Sequence, residues 1–179
     1  GLAVLKDFSA PITCVSTHPT VDEDALVCIG NGVVPGTESG LWECTNVFAS
    51  NPVWVDRSGT GSASLPDTGV NWIVRDPYGP TSVWYAATDL GVFYTEDRGA
   101  HWYNATESLG LPNTAVNQLV VSDGYLYAGT WGRGIWRMQL FSTKPVVASF
   151  TIAATEVTGG NTFTGTLTLD REAPPGGLS

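Results

Sequence analysis

The sequence predicts an all-β chain made of several small antiparallel sheets. Three observations predict it. Short apolar strands recur in sets, each set aligned on a glycine followed by an aromatic or aliphatic pair. Glycine is frequent, at 21 of 179 residues, which suits many tight turns between short strands. Charged residues are only 14%, against roughly 25% in average soluble domains, so amphipathic helices with charged outer faces are not expected.

The first strands of three successive repeats read Thr13–Pro19, Asn71–Pro77 and Asn117–Asp123. Second strands follow at Ala25–Gly30, Ser82–Thr88 and Tyr125–Thr130. Third strands align at a glycine: Gly40–Glu43, Gly91–Tyr94 and Gly134–Arg137. Fourth strands are expected around Val53–Val55 and Trp102–Asn104, and the third repeat has none that convinces. The unit recurs roughly every 43 to 59 residues, the size of a β-propeller blade. A sheet this small cannot bury both faces alone, so it must lean on neighbours. Ala86, Ala87, Ala128 and Gly129 on second strands suit a crowded axis, and Trp42, Phe93 and Trp136 suit the space between sheets. A face-to-face β-sandwich is the competing architecture. It does not explain the triple alignment. The expected fold is thus a partial β-propeller of about three blades over residues 1–142, with a different unit from 143 to 179.

Thr95-Glu96-Asp97-Arg98-Gly99-Ala100-His101-Trp102 resembles the Asp-box, the Ser/Thr-x-Asp-x-Gly-x-x-Trp turn of BNR repeats. Those repeats occur in sialidases, sortilin-type receptors and xyloglucanase-like glycoside hydrolases. The resemblance covers residues of about 10 to 140, with one box intact, the first repeat degenerate and the third lacking it. It implies a structural role for Thr95, Asp97, Gly99 and Trp102. Asp97 accepts from amides of its own turn, Gly99 supplies a conformation other residues resist, and Trp102 buries a large area beneath.

The C-terminal stretch alternates as two half-buried strands, Val146–Ile152 and Phe163–Leu169, around the turn signal Val157–Asn161. With Pro174-Pro175-Gly176-Gly177 it resembles the opening strands of immunoglobulin-like modules of large bacterial surface proteins. Such a module takes roughly 100 residues, so an incomplete β-sandwich is expected here.

The net charge of −9 with only 8 Lys and Arg argues against nucleic acid, which needs a basic surface. The cluster Asp22, Glu23 and Asp24 reads as solvation. No apolar run is long enough to span a bilayer, so no membrane insertion is expected. No signal peptide is recognised at Gly1, so any leader would lie upstream. The profile fits an extracellular or cell-surface protein. Cys14, Cys28 and Cys44 are an odd set, allowing at most one disulfide: Cys14–Cys28, Cys28–Cys44, or none, with three buried thiols. No metal and no cofactor are expected, since no histidine accompanies those cysteines.

In a propeller, the loops joining second to third strands and those between blades share one face. Ligand-binding candidates there are Trp131, Arg133, Asp67 and Glu107, with Trp131 and Arg133 able to stack on and bond to a sugar. The alternative for Trp131 is packing against a neighbouring loop. Asp89, within Thr88-Asp89-Leu90-Gly91, is the candidate catalytic carboxylate, on its resemblance to a xyloglucanase-like setting. Glycoside hydrolysis needs a second carboxylate, which the sequence does not assign. His18 before Pro19 reads as a turn residue, and His101 lies in the variable part of the box. The expected function is a non-catalytic structural or binding segment presenting a propeller loop face. The alternative is a fragment of a propeller glycoside hydrolase acting on polysaccharide. Expected partners are further blades of the parent protein or other chains covering open edges, and carbohydrate.

Overall fold

The computed structural model describes residues 5–8, 10–30, 40–79, 82–106, 110–111, 113–140, 147–153, 159 and 164–169. The chain is all-β: four small antiparallel sheets, none closed among the described residues. Sheet 1 is β1 (Ile12–Thr17), β2 (Ala25–Ile29), β3 (Gly40–Cys44) and β4 (Trp54–Asp56). Sheet 2 is β5 (Val70–Arg75), β6 (Trp84–Thr88), β7 (Gly91–Thr95) and β8 (Tyr103–Asn104). Among the described residues sheet 3 has three strands, β9 (Val116–Ser122), β10 (Tyr125–Thr130) and β11 (Ile135–Gln139). In each, strands pair in chain order. A separate hairpin, β12 (Val147–Ile152) with β13 (Gly165–Leu169), forms the fourth sheet, and its strands are largely exposed. Among the described residues no helix is long and apolar enough to cross a membrane.

Sheet 2 lies between sheets 1 and 3. All five residues of β6 are buried. Alternation sends Trp84 and Ala86 into one core with Cys14, Leu26, Cys28 and Leu41 of sheet 1. Tyr85 and Ala87 point the other way, into a core with Leu119, Leu126, Ala128 and Met138 of sheet 3. The segment before β1 covers the Val27, Ile29, Trp42 and Trp54 part of the far face of sheet 1. Phe8 packs on Trp42 and Trp54, with ring centroids 5.9 and 5.5 Å apart, and Lys6 Nζ sits 4.3 Å from the Trp42 ring centre.

The first strands carry matching bulges. Register shifts at Thr13 in β1, at Asn71 in β5 and at Asn117 in β9. A bulge re-aims its side chain out of the ladder. Thr13 Oγ1 donates to Val70 O of the next sheet at 2.5 Å, and Asn71 Nδ2 donates to Val116 O at 3.0 Å. The aligned glycines also act alike. Gly40 and Gly91 have φ of +87° and +120°, and a Cβ there would fall 2.0 Å from Ser58 Oγ and 2.1 Å from Thr106 Oγ1. Those hydroxyls accept the next amides, Leu41 N–H at 3.0 Å and Val92 N–H at 2.9 Å.

At the opposite end, buried charges join sheets 1 and 2. Asp24 is no solvating surface group: it is 6% exposed, because Arg75 Nη2 and Nη1 reach its carboxylate at 2.6 and 3.3 Å. Glu43, 1% exposed, is held by Arg57 Nε and Nη2 at 2.8 and 2.7 Å and by Arg98 from the β7–β8 turn. A carboxylate taken out of water keeps its charge only when its oxygens are filled this way. Replacing Glu43 by Ala is expected to lower stability by about 2–4 kcal/mol, below the full cost of breaking a deeply buried pair because its arginines are part-exposed. Urea unfolding checks it, and a loss under about 0.5 kcal/mol would show that the network does not hold the sheets.

Candidate functional site

The β7–β8 turn is built as its residue types require. Thr95 Oγ1 donates to Asp97 Oδ1 at 2.9 Å and accepts the Gly99 amide at 2.9 Å. Asp97 Oδ1 accepts the His101 amide at 2.9 Å, and Oδ2 accepts His101 Nδ1–H at 2.6 Å. Arg98 and Gly99 have φ of +59° and +80°, and a Cβ on Gly99 would lie 2.3 Å from Arg57 O. Trp102 is 4% exposed; its indole N–H donates to Arg57 O at 2.8 Å and its amide to Ala63 O at 2.8 Å. The turn of sheet 2 therefore clamps the chain leaving β4 of sheet 1. Asp97 is spent on this clamp. Partial burial raises its pKa, but hydrogen bonds from His101 and Thr95 outweigh that and bring it from 3.8 to about 2.

The other end of the sheets carries the predicted ligand residues. Asp89, in the β6–β7 turn, is exposed, yet its oxygens are engaged. Oδ1 accepts Asn71 Nδ2 at 2.9 Å and Oδ2 accepts Thr68 Oγ1 at 3.2 Å. It thus pins the β4–β5 connection to the start of β5. Thr68 also lines a cavity of about 480 Å³ with Gly40, Ser58, Ser62, Ser64, Leu65, Pro66 and Asp67. Asp67 is exposed at its rim. Three serines, a threonine and one carboxylate offer donors and acceptors to a neutral polyol and carry little charge for an ionic ligand.

Trp131 lies on the same end, in the β10–β11 connection. Its ring is 73% exposed, so it is not packed beneath a neighbouring loop. The backbone is fixed instead: Trp131 N–H donates to Ala115 O at 2.8 Å, and its carbonyl accepts Thr114 Oγ1 at 3.2 Å. Arg133 is exposed, and its carbonyl accepts the Trp136 indole N–H at 2.8 Å. The structure brings Asp67 and Asp89 together through Thr68, and it leaves Trp131 and Arg133 one sheet away. Glu107 lies outside the described residues.

Sequence reasoning missed a second cavity, of about 440 Å³, at the charged end. His18, Thr20, Val21, Asp24, Thr45, Arg75 and Arg98 line it. His18 Nδ1 accepts the amides of Thr20 and Val21 at 3.2 and 3.1 Å, confirming a turn role. Burial first, and then Arg75, lower its pKa. Arg75 and Arg98 answer to Asp24 and Glu43, which makes this end a structural junction. Among the described residues no group of three or more His, Cys, Asp or Glu side chains could hold a metal ion.

No family model matches the chain, and no curated protein matches its sequence.

The depressed Asp97 pKa sets a sign. Its contribution is complete above about pH 4 and disappears as pH falls through about 2. The stability difference between the wild type and Asp97→Asn is therefore expected to be largest near neutral pH, about 1 kcal/mol for a part-exposed charged acceptor. It should shrink steadily between pH 4 and pH 2 in denaturant titrations. A difference that grows on acidification would refute the assignment.

Proposed function

We propose that the chain is an arc of three blades from an Asp-box β-propeller, and that it serves as a non-catalytic, carbohydrate-binding segment of a secreted or cell-surface protein. The first strands support the architecture. β1 packs on β5 and β5 on β9, and the equivalent bulge residues Thr13 and Asn71 each bond to the first strand of the next sheet. First strands gathered side by side, with the other strands running outward, are what blades around an axis require. The intact Thr95–Trp102 turn supports the Asp-box class. The hairpin β12–β13 fits the start of an immunoglobulin-like spacer.

The hydroxyl-lined cavity beside Asp89 carries the binding reading. Sugars are recognised by neutral hydroxyls and by aromatic rings against their apolar faces, and this end offers Ser58, Ser62, Ser64, Thr68 and the open Trp131 indole. Asp89 acts as a strut, because both its oxygens already hold neighbouring loops. A second reading, a propeller glycoside hydrolase, draws on the exposed Asp67 and Asp89 at one end of the sheets. One experiment separates the two. Neutral β-glucan and xyloglucan oligosaccharides, titrated by saturation-transfer NMR, are expected to bind and not to be cleaved. Ser62→Ala with Ser64→Ala, in the cavity, should weaken binding by roughly tenfold, the loss of about 1.4 kcal/mol of hydrogen bonding. No binding to any glucan overturns the first reading. Sugar release that Asp89→Asn abolishes establishes the hydrolase.

The arc also has an open side. On the face of sheet 3 turned away from sheet 2, Val120 is 49% and Ile135 80% exposed. Asn117, the third bulge residue, is exposed there too, with no next strand among the described residues. In this reading a further sheet covers that face, from the same polypeptide, another chain or a second copy. The isolated chain is expected to self-associate in light scattering, and Val120→Lys with Ile135→Lys to make it monomeric. A wild-type monomer at high concentration counts against a covered face.

A further inference from the structure

We propose that Cys14 and Cys28 form a cross-strand disulfide under oxidising conditions, and that Cys44 remains a free thiol. The register decides it. Cys14 in β1 stands directly opposite Cys28 in β2. Directly opposed residues of an antiparallel pair have Cα atoms about 4.5–5.5 Å apart. That falls inside the roughly 4.4–6.8 Å that a disulfide spans. Both side chains point to the same face, into the core shared with Leu26, Leu41, Val70 and Ile73.

Cys44 cannot compete. It pairs with Ala25, while Cys28 pairs with Leu41, so Cys28 and Cys44 are out of register. Leu41 and Cys44 are three positions apart along one strand, and alternation turns Cys44 to the opposite face of the sheet. Its Sγ–H donates to Asn46 Oδ1 at 3.2 Å, and the residue is fully buried.

The pair is also poised to react. The Cys28 thiol donates to Cys14 sulfur, which brings the Cys14 pKa to about 7 against the opposing effect of burial. Burial pushes the Cys28 thiol well up, so Cys14 is the attacking thiolate. β1 is an edge strand of its sheet, so local opening exposes Cys14 first. The oxidant is a small-molecule disulfide. Cys14 thiolate attacks one of its sulfurs, the small S–S bond breaks, and one small thiol leaves. Cys28 gives up its proton and attacks Cys14 Sγ of the mixed disulfide, and the second small thiol leaves. The protein has lost two electrons and two protons, all carried off by the two small thiols.

The product ties the edge strand β1 to β2 beside the Thr13–Val70 bond that joins sheet 1 to sheet 2. The test uses the whole chain, treated with oxidised glutathione and analysed by intact mass and non-reducing peptide mapping. A mass loss of roughly 2 Da, a linked peptide holding Cys14 and Cys28, and one alkylatable thiol at Cys44 are expected. Cys44→Ala should oxidise identically, and the oxidised protein should melt roughly 5–10 °C above the reduced one. Three thiols still alkylatable, a lasting glutathione adduct on Cys14, or a link through Cys44 would each overturn the proposal.

Discussion

A sheet of four short strands with apolar residues on both faces cannot stand by itself in water. β6 imposes that condition, since Trp84 and Ala86 face one way, Tyr85 and Ala87 the other, and none of them is exposed. Removing apolar surface from water is worth about 25 cal/mol per Å², and two aromatic side chains on opposite faces can both be covered only by two neighbouring layers. Sheets 1 and 3 supply those layers. The far face of sheet 1 meets the same requirement through Phe8 and Lys6, which cover Trp42 and Trp54.

Apolar contact does not set direction, and the polar interactions do. The bulge side chains Thr13 and Asn71 bond to specific carbonyls, so neighbouring sheets cannot slide along one another without losing them. Glu43 and Asp24 act in the same sense at the other end. A buried carboxylate is tolerated only where its arginines arrive, and Arg75 and Arg98 arrive only if sheet 2 sits at one height against sheet 1.

The two ends of the assembly consequently differ in character. At one, Asp97, Thr95 and Trp102 use their polar atoms on the turn and on the chain leaving β4. At the other, serine and threonine hydroxyls line an open cavity, and the Trp131 ring faces solvent on a hydrogen-bonded backbone. Asp97 and Asp89 both accept hydrogen bonds from loops, one within its own turn and one from the adjoining connection.

The strands were legible in the sequence because period-two alternation, turn glycines and the Thr95–Trp102 turn are local: residues close in the chain decide them. The strand pairs of sheets 1 to 3, the aligned glycines and the C-terminal hairpin all follow from that local text. Only the tertiary structure decided the rest. Arg75 finds Asp24 across 51 residues and Arg98 finds Glu43 across 55, so a run that reads as solvation, Asp22 to Asp24, contains a buried ion. The choice among three cysteines depends on strand register, and the exposure of Trp131 depends on where a neighbouring loop runs. Partners far apart in sequence meet only after sheets dock, and no periodicity along the chain encodes which residue they meet.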